Sequence, residues 1–411
     1  MRFPEFSKNE TWADRKLSDV LFEHKEKSIG DEEVHSVSVH KGVVNQIEHL
    51  GRVFAASNTE NYKRVLPGDI IYTKSPTGDF PFGIIKQSKV SKPVIVSPLY
   101  GVFKPETTDL GVILDAYFEY PERTINYLST IVQKGAKNTI NIHNDTFLSK
   151  SLVLPFDKKE QRKIATFLLS IDDLIAAHKE KLELLKDHKK GLMQNLFPQK
   201  GEKVPNFRFK EFKKDGGWKK FIFNQAFERI TRKNIHNHQN VLTISAQQGL
   251  ISQELYFNKK IASNDITNYY LIKKGEFAYN KSYSKEYPKG AIKLLKKYDL
   301  GVVSTLYICF KCKEGFFNEF FEHFFESGIF NEQIDKIAQE GARDHGLLNV
   351  SVIDFFDRLE VMQPHTKEEQ QKIVSCLSVL DDLITAQAEK LEQLKQHKKG
   401  LMQRLFPKAI D

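Results

Sequence analysis

Apolar positions recur in alternating steps of four and three along two stretches of the chain. The first runs Ile171, Ile175, Leu182, Leu185, Leu192 and Leu196; the second runs Leu380, Ile384, Leu391, Leu394, Leu401 and Leu405. This is the spacing of a coiled-coil seam, and it predicts two long helices. His178 and Lys189 interrupt the first seam, and Gln387 and Lys398 the second. If the helices lie antiparallel and centred, residue i faces residue 576 − i, so His178 meets Lys398 and Gln387 meets Lys189. Polar residues then share layers instead of opposing leucines, an arrangement that specifies register and orientation. The alternative is that they snorkel at an exposed edge.

Each helix has a written start and stop. Asp157 with Glu160, and Thr366 with Glu369, read as capping boxes, and Phe-Pro at 197–198 and 406–407 closes each pattern. Gly191 and Gly400 sit inside the helical pattern, where each costs about 1 kcal/mol relative to Ala. Their presence in both copies suggests close approach of another backbone, with a local cap or kink as the alternative.

Elsewhere the period changes from helix to strand. "HSVSVH", "DIIYTK", "FGIIKQ" and "PVIVSPLYGVF" alternate and are rich in β-branched residues, so they read as strands. "PERTINYLSTIVQKG" and "FFNEFFEHFFESGIFNEQIDKIAQEG" read as helices, and the Phe stripe of the second reads as core.

The two seams belong to a repeat. Aligned without a gap, 155–198 and 364–407 share 28 identities in 44 positions. The regions before them repeat more faintly. "RFPEFSKNETW" (2–12) answers "RFKEFKKDGGW" (208–218), which places the chain's two tryptophans, Trp12 and Trp218, at equivalent positions. "GDIIYTKS" matches "GEFAYNKS", and "VSPLYGVFK" matches "VSTLYICFK". The expected fold is therefore α+β: two pseudo-twofold-related mixed α/β domains joined by a long antiparallel two-helix coiled coil. The expected divisions are 1–153, a variable domain; 154–200, a helix; 201–361, a second variable domain; and 362–411, a second helix.

Composition narrows the function classes. No run approaches the roughly 20 apolar residues that span a bilayer, and the start has no signal-peptide core, so a cytoplasmic protein without a membrane partner is expected. Three cysteines argue against a disulfide framework. Cys309 and Cys312 form one CxxC in an alternating strand pattern, and with no second pair no zinc site is expected. The net charge of +9 lies mainly in 201–361, with 25 basic and 20 acidic residues against 19 of each in 1–153. This hints at a polyanion partner for the second region only. No phosphate loop, zinc-protease motif or nucleophile elbow is present, and adjacent acids such as Asp172–Asp173 and Asp381–Asp382 diverge by about 100° on a helix. These acids read as solvated or partner-facing, and no catalytic set is expected.

The repeated "EQ.KI...L...DDLI", the long Leu/Lys helix after each variable domain, and the "RF.EF…W" entry together resemble the specificity subunit of Type I restriction–modification enzymes. The resemblance spans essentially the whole chain. It implies that the variable units are target recognition domains, each reading one half of a bipartite double-stranded DNA target. It implies that the helices set the distance between halves and dock two modification subunits, which methylate adenine using S-adenosylmethionine. Two restriction subunits, using ATP and Mg2+, complete such an enzyme. The chain itself would be noncatalytic and would carry no cofactor.

The helical stretch 171–196 would be roughly 39 Å long at 1.5 Å per residue, near 11 base pairs at about 3.4 Å each. Candidate DNA contacts are polar or basic turn residues at corresponding places: Lys74, Ser75 and Thr77 against Asn280, Lys281 and Tyr283; Lys41 against Gln247 and Gln248; and Lys137, Asn138 and Asn141 against Arg343, His345 and Asn349. Arg and Lys suit guanine, and Asn and Gln suit adenine. The competing reading is a noncatalytic scaffold whose paired helices hold two protein-binding modules.

Overall fold

The computed structural model describes residues 2–7, 12–50, 59–134, 140–245, 248–257, 265–282, 287–343 and 347–406. The chain forms two compact units, one built from Met1–Glu180 with Ala388–Asp411 and the other from Lys181–Gln387. Both boundaries fall inside the long helices, Lys158–Leu196 and Lys367–Leu405. The packing units thus differ in outline from the sequence repeats, because each variable domain buries parts of both helices.

In unit 1 a four-stranded antiparallel sheet orders Leu21–Glu23, Gly101–Pro105, Ile70–Tyr72 and Ile85–Gln87. Unit 2 repeats that order with Phe227–Ile230, Ile308–Cys312, Phe277–Asn280 and Ala291–Leu294. The smaller pairings repeat as well. Ala13–Lys16 with Ser151–Leu154 corresponds to Lys219–Ile222 with Glu360–Gln363. The hairpin His35–Ser38 with Gly42–Asn45 corresponds to Leu242–Ser245 with Gly249–Ser252. Lys63–Val65 with Val94–Val96 corresponds to Tyr270–Lys273 with Leu300–Val303.

Several segments are shorter than their patterns suggest. "PVIVSPLYGVF" is two strands, Val94–Val96 and Gly101–Pro105, because Ser97 turns the chain at Pro98. The helix at 121 ends at Leu128, and the chain continues into the two-residue strand Gln133–Lys134. The Phe-rich helix breaks at Gly328, whose φ of 82° suits glycine, into Asn318–Glu326 and Asn331–Ile337. Phe320, Phe321, Phe324 and Phe325 are all buried in the unit 2 core. Cys309 and Cys312 lie on one strand but pack against different apolar clusters, so their thiols do not converge.

The entry motif explains itself in the packing. Arg2 donates two hydrogen bonds to Glu160, both at 2.8 Å, and the Trp12 indole adds a third at 3.1 Å. Arg208 grips Glu369 at 2.8 and 2.7 Å, with Trp218 at 3.4 Å. The capping boxes are therefore half-formed. Asp157 accepts from the Lys159 N–H and Thr366 from the Glu369 N–H, but both glutamates turn to guanidinium, a stronger charge-assisted donor. Trp12 then packs edge-on against Phe406, and Trp218 against Phe197, each pair with centroids 5.9 Å apart. Each tryptophan thus joins the start of one long helix to the end of the other.

Candidate nucleic-acid interface

Within each unit the long helices run antiparallel, but not in the centred register. Lys398 Nζ meets Asp172 at 2.7 Å in unit 1, and Lys189 Nζ meets Asp381 at 2.6 Å in unit 2. Both pairs of residue numbers add to 570, not 576, and the same offset relates Leu168 to Met402 and Met193 to Leu377 within their apolar clusters. A twofold permits any such constant, so centring was the only basis for 576. The register is instead set where carboxylates meet the seam lysines. His178 is half-buried, while Gln387, Lys189 and Lys398 are buried, so the edge-snorkelling alternative does not describe the two lysines.

The remaining partners of those lysines come from the variable domains. Lys398 also meets Glu119 at 2.7 Å, and Lys189 meets Glu326 at 2.9 Å, with Lys293 on the same carboxylate at 2.8 Å. Burial alone would lower the Lys189 ammonium, but Glu326 and Asp381 more than offset it and raise its pKa. Burial likewise opposes the Glu326 carboxylate, and Lys293 and Lys189 override it and hold it ionised well below the usual range. Asp172 and Asp381 are therefore partners of the seam lysines, while their neighbours Asp173 and Asp382 are exposed. The first lysine of each "HKKG" thus bolts a variable domain to the helix pair. Gly191 and Gly400 follow two residues later with nothing within 4 Å of an added Cβ, so no other backbone among the described residues approaches them.

His323 marks a difference between the units, since Ala116 takes its place in unit 1. His323, Glu326 and Asp381 offer ligand atoms within 4.8 Å of one another. Lys189 Nζ already lies on both carboxylates, so the group is a neutralised ion-pair cluster. Burial, reinforced by Lys189, lowers the His323 pKa from 6.5 to about 4. A histidine kept neutral by the fold contributes fully above pH 6.5, and that contribution is lost as pH falls toward 4. Across that window the loss should be about 3 kcal/mol. His323→Gln should flatten the difference between stabilities measured at pH 6.5 and pH 5; an unchanged slope would assign it to other groups.

In each unit one candidate loop begins at one end of the four-stranded sheet. Tyr72 pairs with Gly101 and Tyr279 with Ile308, so the loops after Thr73 and Asn280 leave where the turns at 97–100 and 304–307 enter. The described residues close the base of each loop in the same way. The Tyr72 hydroxyl donates to the Phe82 carbonyl, and the Tyr279 hydroxyl to the Lys289 carbonyl, each at 2.8 Å. A Cβ on Gly83 would meet the Lys74 nitrogen at 2.8 Å, and one on Gly290 would collide with the Asn280 carbonyl, so both closures require glycine.

Lys74, at φ 57°, and Lys281 are half-buried on these loops, with Ser75 and Thr77 exposed and Asn280 half-buried. Burial, with Lys63 nearby, lowers the Lys74 pKa, and burial lowers that of Lys281. A partly desolvated ammonium gains from an approaching anion. The hairpin Ala338–Arg343 with Leu347–Val350 joins the unit 2 loop through the Leu348 N–H, which donates to the Lys281 carbonyl at 3.0 Å. Arg343 lies in one strand of that hairpin and Asn349, exposed, in the other. Asn141 lies in the short strand Ile140–Asn141 of unit 1. Lys41, exposed at its hairpin tip, shares the wall of a 770 Å³ cavity with Asp79 and Phe80 of the 73–84 loop. Gln248 is exposed at the matching tip. Lys137, Asn138, Gln247, Tyr283 and His345 lie outside the described residues.

Comparison with known proteins gives a fold likeness. No family profile matches the chain, and no curated protein matches it in sequence. Among solved structures, it is similar to the Type-I restriction-modification system S subunit from M. genitalium, with TM-score 0.53 and 12% identity over 98% of each chain. It is also similar to a chain from a study of complex assembly and conformational transition of the type I R-M system, with TM-score 0.52 and 12% identity over 97% of this chain and 98% of that one. The chain thus has the fold of Type I S subunits. No described helix is long and apolar enough to cross a membrane.

Proposed function

We propose that this chain is the noncatalytic DNA-specificity subunit of a Type I restriction–modification enzyme. Each variable domain reads one half of an asymmetric, bipartite duplex target. The helix pair sets the unread gap and docks two modification subunits, and two restriction subunits complete the assembly. S-adenosylmethionine, ATP and Mg2+ belong to those partners.

The observation that carries this reading is the repetition of one loop set. Both units close a lysine-bearing loop by the same tyrosine hydrogen bond and glycine contact, with Lys74 and Ser75 repeated as Lys281 and Ser282, yet the residues around that shared pair differ, Thr73 against Asn280, Gly78 against Lys285 and Phe82 against Lys289. A common frame with different side chains suits two readers of different sequences. The fold likeness to S subunits supports it. The scaffold reading, in which both units bind proteins, has no comparable use for paired half-buried lysines.

Salt separates the two. Affinity of the purified chain for random duplex DNA should fall steeply between about 50 and 200 mM salt, because each phosphate contact releases counterions. Binding that is absent or insensitive to salt would favour the protein scaffold.

A further inference from the structure

We infer that Leu99 and Leu306 contact bases directly, each meeting the 5-methyl group of a thymine in one half of the duplex target. This rests on the DNA-specificity reading above.

The two leucines occupy the same turn. In 97–100, "SPLY", the Leu99 N–H donates to Ser97 Oγ at 3.3 Å and the Tyr100 N–H to the Ser97 carbonyl at 3.1 Å. In 304–307, "STLY", Leu306 and Tyr307 make the same two bonds to Ser304, at 3.3 and 3.1 Å. The tyrosine that follows anchors each turn inward. Tyr100 packs against the cluster of Val65, Ile71 and Val102, and Tyr307 against that of Ile230, Leu242 and Val303. The leucine is left pointing outward, 77% exposed at Leu99 and 56% at Leu306.

A single exposed leucine is ordinary on a protein surface. Repetition and place set these apart. Between the repeated helices the two halves of the chain match only in short stretches, yet both keep Ser-x-Leu-Tyr in the same hydrogen-bonded turn. Each turn enters the strand paired with Tyr72 or Tyr279, beside the loop carrying Lys74 or Lys281. In unit 1 Lys63 Nζ also donates to the Tyr100 carbonyl at 2.7 Å, fixing the turn from its other side. Lysines beside it suit phosphates, while a rigid aliphatic side chain can make no hydrogen bond to a base edge. The apolar feature of the major groove is the thymine methyl.

The test uses the full chain assembled with its modification subunits and a duplex carrying the target found by methylome sequencing. Thymines are replaced one at a time by deoxyuridine, which removes only the methyl group. Each half-site should contain one thymine whose replacement weakens binding about fourfold, the worth of one buried methyl group. Leu99→Ala should abolish that sensitivity in one half-site, and Leu306→Ala in the other, with circular dichroism unchanged. A flat deoxyuridine scan, or sensitivity that survives both alanine variants, overturns the inference while leaving the specificity reading intact. Impaired assembly with an intact scan would make the turns a protein-docking surface and also overturn it. A wild-type complex with no sequence preference overturns the specificity reading, and this inference with it.

Discussion

Replacing Glu369 with alanine should destabilise unit 2 by about 3–5 kcal/mol, the usual cost of leaving one partner of a buried ion pair alone. Glu369 is 1% exposed and its Arg208 partner's side chain 5%, so water cannot replace the lost carboxylate. Arg208 would keep its bond to the Gly216 carbonyl, at 2.5 Å, which satisfies one donor and none of the charge. The equivalent change at Glu160 should cost less, because the Arg2 side chain is 20% exposed and can be solvated. Urea denaturation followed by Trp218 fluorescence in a Trp12→Phe background reports unit 2 for the Glu369 variant, and Trp12 fluorescence in a Trp218→Phe background reports unit 1 for the Glu160 variant. Adding Arg208→Met to Glu369→Ala should recover much of the loss, since removing both charges removes the desolvation penalty. Equal losses for the Glu160 and Glu369 variants would show that burial does not govern these clamps.

Lengthening both helices by one heptad, after Leu185 and Leu394, should widen the unread gap by about three base pairs. Seven residues add about 10.5 Å, and a base pair occupies about 3.4 Å. The phase of the seam is kept. The ion pairs Asp172–Lys398 and Lys189–Asp381 lie outside the inserted stretch, so each unit should keep its own register. Both half-site sequences should be unchanged in the methylome. An active variant with unaltered spacing would reduce the helices to a docking surface for partner subunits.

Much of this architecture is legible in the sequence because periodicity reports burial. The seam positions are all buried or half-buried, and the repeat places Trp12 and Trp218 where they perform the same task. The register was not legible. A heptad pattern fits its partner equally well after a shift, and the deciding carboxylates, Asp172 and Asp381, stand in adjacent acid pairs whose match to Lys398 and Lys189 no spacing announces. The second role of Glu160 and Glu369 was hidden for a related reason. A capping-box glutamate and a buried partner of arginine have the same local sequence, and Arg2 and Arg208 are more than 150 residues away. Strand lengths were overread where a run such as 93–103 is apolar on both sides of a turn. The candidate DNA contacts were the least legible, because a polar turn residue that meets solvent and one that meets a base are the same residue type. What the fold adds is convergence: the loops of Lys74 and Lys281 lie beside the turns of Leu99 and Leu306, which no polarity pattern would select.

The most direct measurement is a methylome comparison of cells carrying this chain with its modification subunit and cells in which 201–361 is exchanged for the matching region of another S subunit. Two independent readers on one helix pair predict adenine methylation at an asymmetric bipartite motif, of which the exchange alters one half and leaves the other half intact. A change in both halves together, or methylation that does not depend on this chain, would contradict the account.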